Sequence, residues 1–316
     1  MEAALRAALA TALGSEVVFA HGVAGGDINQ AYEIGLGDGR RLFAKANARS
    51  PRGMFAAEAR GLAWLAEAGA LRVPAVVAVA APEAPVQFLA LELVETGRPG
   101  RDFDERLGQG LAALHRHGTA GFGLDHDNFV GSLPQQNDLP WEPATGSQTL
   151  PRRTPPGEAG LRPREAPRHP WPEFYRTRRL EPLLRRAVDG GLASSRMRQG
   201  FERLFAALDA LCGPSEPPAR LHGDLWGGNL LCDERGAPVL IDPAVYGGHR
   251  EIDLAMMRLF GGFGARVFDA YDEAAPLAEG HRARVTLYQL YPLMVHVNLF
   301  GGGYVGSVET ALDRLA

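Results

Sequence analysis

Leu221-His222-Gly223-Asp224-Leu225-Trp226-Gly227-Gly228-Asn229, followed by Val239-Leu240-Ile241-Asp242-Pro243, is the stretch on which the reading of the chain turns. Asp224 and Asn229 stand five residues apart, and Asp242 comes 18 residues after Asp224 at the end of a short apolar run. Phosphoryl transfer asks for such a set. One carboxylate must sit beside the attacking hydroxyl and accept its proton, and a hard cation such as Mg2+ is suited by an Asn amide oxygen and a second carboxylate. The apolar run reads as a strand that brings the chain back and aims Asp242 at the same metal. A lone His-x-Asp carries little information; the combination with Asn229 and Asp242 is specific. Asp224 is therefore the candidate base, and Asn229 and Asp242 the candidate Mg2+ ligands.

Working outward, the N-terminal third supplies the other half of such a site. Lys45 is the single lysine among 33 basic residues. An ammonium is a compact point charge and a guanidinium a planar fork, so a lone lysine in an arginine-rich chain marks a place where the ammonium itself is needed. Lys45 lies on the third of three short strands, from which it can reach the α- and β-phosphates of ATP, and Glu58 on the next helix can pair with it. Gly22 to Gln30 joins the first two strands. Its Gly25 and Gly26 would let backbone N–H groups approach phosphate oxygens. No GxxxxGK[ST] occurs, so this is not a Walker A site. Phe88 to Val94 reads as a strand that runs into a hinge at about Glu92 to Glu95, where an adenine edge can be read. The five-residue step from Asp224 to Asn229 is also that of the protein-kinase catalytic loop.

The remaining pattern sets the architecture. Val17–Ala20, Ile28–Leu36, Arg41–Asn47, Ala75–Ala80 and Phe88–Val94 read as strands, with Gly37-Asp38-Gly39 as a hairpin turn and Met54–Ala68 as a helix. Beyond residue 100 the helical period dominates. The expectation is an α+β, bilobed fold: a nucleotide-binding lobe over 1–95, with an antiparallel sheet and one helix, and a mainly helical catalytic and acceptor lobe over 96–316. Residues 140–172 hold nine prolines. Such a segment buries too little apolar surface to offset its ordering entropy, so 140–170 reads as a disordered insertion.

Composition excludes several classes. A net charge of −4 argues against a nucleic-acid binder, even with five arginines in the insertion. No apolar run reaches the ~18 residues of a membrane span. Met1 to Leu13 reads as an amphipathic helix rather than a signal peptide. Cys212 and Cys232 cannot build a disulfide framework, and a reducing cytoplasm is the simplest compartment. There is no GxSxG elbow and no HExxH helix.

These residues also carry a family resemblance. His222–Asn229 and Ile241-Asp242-Pro243-Ala244-Val245-Tyr246-Gly247-Gly248-His249-Arg250-Glu251-Ile252-Asp253-Leu254-Ala255-Met256 resemble the fructosamine (ketoamine) kinase family, within the aminoglycoside-phosphotransferase and protein-kinase-like fold. Phe55–Leu65, Gly131-Ser132 with Pro134-Gln135, Trp171–Leu180 and Tyr291–Gly301 extend the likeness over nearly the whole chain outside 140–170. The resemblance implies ATP-dependent phosphorylation of a sugar hydroxyl on a ketoamine, small or protein-linked. The unstable product then releases its amine, a deglycation. It implies Asp224 as base, Asn229 and Asp242 on Mg2+, Lys45 on the phosphates, and Asp253 as a brace of the catalytic loop. Trp226 either stacks on the sugar or fills the lobe interface. His249 joins the acceptor residues, and Tyr304, with His296, either reaches that pocket or packs in the core. Many family members carry a cysteine in the Gly-rich loop, where this chain has Asp27, so disulfide control there is not expected. A kinase of the same fold for an aminoglycoside, choline or homoserine is the alternative reading. A catalytically dead nucleotide-binding scaffold is a more remote one, since it has no need of Lys45, Asp224, Asn229 and Asp242 together.

Overall fold

The computed structural model describes residues 1–23, 29–137 and 170–315. The chain opens with α1 (Ala3–Leu13), whose Leu5, Leu9 and Leu13 recur every fourth residue and are buried against the sheet that follows. Each contributes roughly 1.5–3 kcal/mol by leaving water. Gly14 ends α1 in the left-handed region, a position glycine takes without a Cβ penalty. Then come β1 (Val17–Val23), β2 (Gln30–Leu36), β3 (Arg41–Ala46), α2 (Met54–Ala66), β4 (Val76–Val79) and β5 (Phe88–Glu92). The strands form one antiparallel sheet in the order β1-β2-β3-β5-β4. Gly37-Asp38-Gly39 makes the expected turn between β2 and β3, closed by Leu36 N–H to the Arg40 carbonyl at 2.9 Å.

The second part is mainly helical: α3 (Phe103–His117), the hairpin β6 (Asn128–Val130) and β7 (Leu133–Gln135), then α4 (Pro170–Phe174), α5 (Glu181–Asp189) and α6 (Ser195–Leu211). A π-helical turn, Tyr175–Leu180, joins α4 to α5. Ser194 caps α6, its hydroxyl accepting from Met197 N–H at 3.0 Å. Short strands β8 (Ala219–Leu221), β9 (Leu230–Cys232), β10 (Pro238–Leu240) and β11 (Tyr246–Gly248) pair as β8 with β11 and β9 with β10. The chain finishes with α7 (Glu251–Phe260), α8 (Ala265–Ala274), α9 (His281–Phe300) and α10 (Val305–Arg314). The largest core lies here, around Trp171, Tyr175, Phe201, Tyr246, Tyr288 and Met294. The expected α+β class and the order of sheet before helices match this arrangement. The β6–β7 hairpin and the π turn were not expected, since three-residue strands and an i→i+5 turn leave no periodic mark. The Pro-rich insertion lies almost wholly outside the described residues.

Candidate active site

Two short connections bring the chemistry together. β8 delivers the chain into His222–Asp224, and β10 delivers it into Ile241–Asp242. Asp253, at the start of α7, is fully buried and takes both backbone donors of the first connection: His222 N–H at 2.8 Å and Gly223 N–H at 2.9 Å. Burial would push the Asp253 carboxyl up. The hydrogen bond to His115, 3.1 Å away, together with the Gly223 N–H, holds it below the usual range. The brace expected of Asp253 is thus present, and His115 supports it from α3. Gly223 has φ +83, and a Cβ there would lie 2.0 Å from the Ala244 carbonyl, so the turn admits only glycine. His222 accepts at Nδ1 from Asp224 N–H at 3.3 Å and donates from Nε2 to the Ile241 carbonyl at 2.9 Å, stitching the two connections together.

Asn229 bridges the Asp224 side chain and the backbone at Asp242. Its Nδ2 donates to the Asp224 carbonyl at 2.8 Å, to Asp224 Oδ2 at 3.1 Å and to the Asp242 carbonyl at 3.5 Å. Burial pushes the Asp224 carboxyl up to about 7, and the charges of Asp242 and Asp253 add to the rise against the pull of Asn229. A carboxylate so tuned is matched to proton transfer near neutral pH. Asp242 adopts φ +55, a left-handed conformation that Asp tolerates but other side chains rarely take.

From the sheet side, Lys45 Nζ lies 2.5 Å from Glu58 and 2.5 Å from Asp242. Burial alone would neutralise the amine. The two carboxylates outweigh it and hold the pKa above that of a free lysine, so the ammonium persists. The helix α2 that carries Glu58 is fixed to the helical part at two points. A Cβ on Gly61 would meet Val245 at 3.1 Å, and the Arg220 guanidinium lies 4.3 Å from the centre of the Trp64 ring while bonding the Trp64 carbonyl. Neither Trp64 nor Arg220 was singled out in the sequence; a cation over a ring 156 residues away has no local signature.

Other expected residues fall elsewhere. Gly25 and Gly26 lie outside the described residues. The Glu92 carboxylate is taken by Arg72 and by Ala75 N–H at 3.1 Å, and Glu92 N–H bonds the Ala75 carbonyl, so its side chain is committed within the sheet. Trp226 is 41% exposed, with its ring lying over Gly228 in the catalytic loop. His249 is a correction. It is buried in the helical core, stacked on Tyr288 at 5.1 Å and tilted against Trp171 at 5.9 Å, with Glu216 3.8 Å from Nε2. Its neighbours in sequence had suggested the acceptor pocket, but β11 turns it inward. Tyr304 is half-buried against His296 at 4.9 Å, which in turn meets Phe260 at 4.5 Å.

Among the described residues no group of three or more His, Cys, Asp or Glu forms a metal cage. Asp242 and Asn229 offer one carboxylate and one amide oxygen, donors that would hold Mg2+ together with waters and substrate phosphate oxygens.

Comparison with known proteins agrees with the geometry. A family model described as fructosamine kinase matches residues 1–144 and 162–316. A Synechocystis protein described as a probable ketoamine kinase is 36% identical over 298 residues, covering 92% of this chain and 88% of its own. A rice (Oryza sativa subsp. japonica) protein named protein-ribulosamine 3-kinase, chloroplastic, is 32% identical over 301 residues, covering 92% of this chain and 77% of its own. Among solved structures, a Thermobifida fusca protein described as a fructosamine-3-kinase aligns with a TM-score of 0.80 at 39% identity, covering 98% of this chain and 97% of that one. An aminoglycoside phosphotransferase, 14% identical with a TM-score of 0.59, covers 98% of each chain and shares the fold.

Proposed function

The chain belongs to the fructosamine kinase family, and from that premise we propose that its Asp224–Asn229–Asp242–Lys45 constellation phosphorylates a sugar hydroxyl of ketoamines with ATP, leading to their deglycation. The observation that carries this reading is the convergence of two sequence-distant halves. Asp242 is hydrogen-bonded to Lys45 from the sheet through its carboxylate and to Asn229 from the catalytic loop through its carbonyl.

The nucleotide lobe is taken as residues 1–95 and the catalytic and acceptor lobe as 96–316. ATP lies between them, its phosphates oriented by Lys45, which Glu58 holds in place, and by the Gly25-Gly26 backbone. Any adenine contact at the hinge falls to backbone groups beyond Glu92. Asp224 accepts the proton of the attacking sugar hydroxyl, and Asn229 keeps that carboxylate aimed. Asp242 and Asn229 would hold Mg2+ together with phosphate oxygens, and the ion would supply charge neutralisation on the transferred group. The exposed Trp226 offers a face to the sugar, and Tyr304 with His296 either reaches the acceptor pocket or serves packing alone. The step moves the terminal phosphoryl group to the sugar oxygen and leaves ADP. The phosphorylated adduct then sheds its amine. The free thiols of Cys212 and Cys232 fit a cytoplasmic setting. No helix among the described residues is long and apolar enough to cross a membrane.

The test is Mg·ATP-dependent ADP release across a panel of fructose- and ribulose-derived ketoamines, with choline, homoserine and an aminoglycoside as controls. Release that requires a ketoamine, followed by loss of the adduct, supports the reading. Turnover of a control alone discards it in favour of another acceptor.

A further inference from the structure

Arg179, in the π turn Tyr175–Leu180, is fully buried, and no carboxylate pairs with it among the described residues. Its guanidinium lies 3.8 Å from the centre of the Tyr246 ring and 4.7 Å from that of Phe174. Nη1 donates to the Gln136 carbonyl at 2.6 Å and Nη2 to Asn137 Oδ1 at 2.7 Å. Burying a cation without a counter-ion costs free energy that ring faces and carbonyls return only in part. What Arg has, and an apolar or amide side chain lacks, is a set of N–H donors with no acceptor.

That property propagates. Asn137 must present its oxygen to Arg179, so its Nδ2 points away and donates to Asn128 Oδ1 at 2.8 Å. With its oxygen so used, Asn128 donates from Nδ2 to the Val245 carbonyl at 2.7 Å. Gln135 donates from Nε2 to the same Asn128 oxygen at 2.7 Å and to the Ala244 carbonyl at 3.1 Å, while its own oxygen accepts from the Tyr291 hydroxyl. All three amides are buried, and reversing any one would set oxygen against oxygen or N–H against N–H. Ala244 and Val245 follow Asp242 by two and three residues, on the far side of its left-handed turn. Tyr246, beneath the guanidinium, is the cross-strand partner of Leu221, which leads into His222 and Asp224.

We propose that Arg179 is a positioning residue whose donor-only guanidinium sets the polarity of the Asn137–Asn128–Gln135 relay and thereby fixes the backbone from which Asp242 projects. The proposal rests on the reading of Asp242 as the metal-side carboxylate.

Three substitutions test it. Arg179→Gln offers an oxygen as readily as an N–H, so the relay loses its imposed direction. Arg179→Lys keeps donors only. Asn137→Asp gives Arg179 a carboxylate but has no N–H for Asn128, so it breaks the relay while adding an ion pair. The readouts are the melting temperature without ligand, its rise with AMP-PNP alone, the further rise when Mg2+ is added, and kcat and KM for ATP. Arg179→Gln and Asn137→Asp should lose most of the Mg2+-dependent rise, keep the rise from nucleotide alone, and lose about tenfold or more in kcat. Asn137→Asp, which keeps Arg179 paired, should do so with a ligand-free melting temperature no lower than that of Arg179→Gln. Arg179→Lys should recover part of both losses. A normal Mg2+-dependent rise and kcat in Asn137→Asp would overturn the proposal, as would losses that only track the ligand-free melting temperature. If Asp242→Asn leaves the Mg2+-dependent rise intact, the reading of Asp242 fails, and the role of Arg179 falls with it.

Discussion

Two ion clusters, one built on a lysine and one on arginines, are put to opposite ends. In the cleft, one cation, Lys45, faces two carboxylates, Glu58 and Asp242, with Asp224 close behind through Asn229. The Asp242 side chain is 44% exposed, so the cluster is open on one side and carries excess negative charge. In the helical part, Arg284 grips Glu251 through contacts of 2.6 and 2.9 Å, and Arg250 grips Glu216 at 2.7 and 2.8 Å. There each charge is balanced, and spare guanidinium N–H groups reach the carbonyls of Ala275, Pro276, Ala278 and Glu279. Under the proposed function the first cluster is completed by the cation and phosphates that a ligand brings; the second is saturated and holds helices together. Charge balance and openness, more than burial, separate a reacting site from a structural one.

The sharpest way to break the comparison is Asp224→Asn. Loss of the base should lower kcat on the order of 10²–10⁴-fold, with nucleotide affinity by calorimetry and melting temperature nearly unchanged. Lys45→Arg comes next. A planar fork does not replace the point charge between Glu58 and Asp242, and kcat/KM should fall on the order of 10²-fold. In the saturated cluster the effects should reverse. Arg284→Leu strands Glu251, whose side chain is 5% exposed, and should cost ~3–5 kcal/mol in chemical denaturation while activity per folded molecule survives.

A pH series sharpens the boundary between the two. The Asp253 carboxyl is held below its usual range when folded, so its charged form stabilises the fold above the unfolded pKa of about 4, and that contribution is lost as pH falls through the lower folded value. The stability gap between wild type and Asp253→Asn should therefore be widest near pH 7 and narrow below about pH 4. The smallest effect is expected at Arg266, exposed between Glu105 and Glu273, where Arg266→Ala should change stability by less than about 1 kcal/mol.

Much of this site was legible because its chemistry is local in sequence. Asp224, Asn229 and Asp242 lie within 18 residues, and turns dictated by Gly223 and Gly37-Asp38-Gly39 have compositional marks. Lys45 was legible through rarity. What escaped was whatever depends on packing between distant segments. His249 stands seven residues from Asp242, yet the inward turn of β11 buries it against Tyr288. The relay from Arg179 draws on residues 128, 135 and 137, and the brace on Asp253 draws on His115, 138 positions away. None of these pairs has a period or a spacing to announce it.

The solitary lysine has one more consequence. Reducing sugars condense with unprotonated, accessible amines, and that condensation makes the adducts on which this family acts. The chain's only lysine is 4% exposed, clasped by two carboxylates and held as ammonium. With its one lysine so held, the sequence offers a reducing sugar no accessible lysine side chain to attach to.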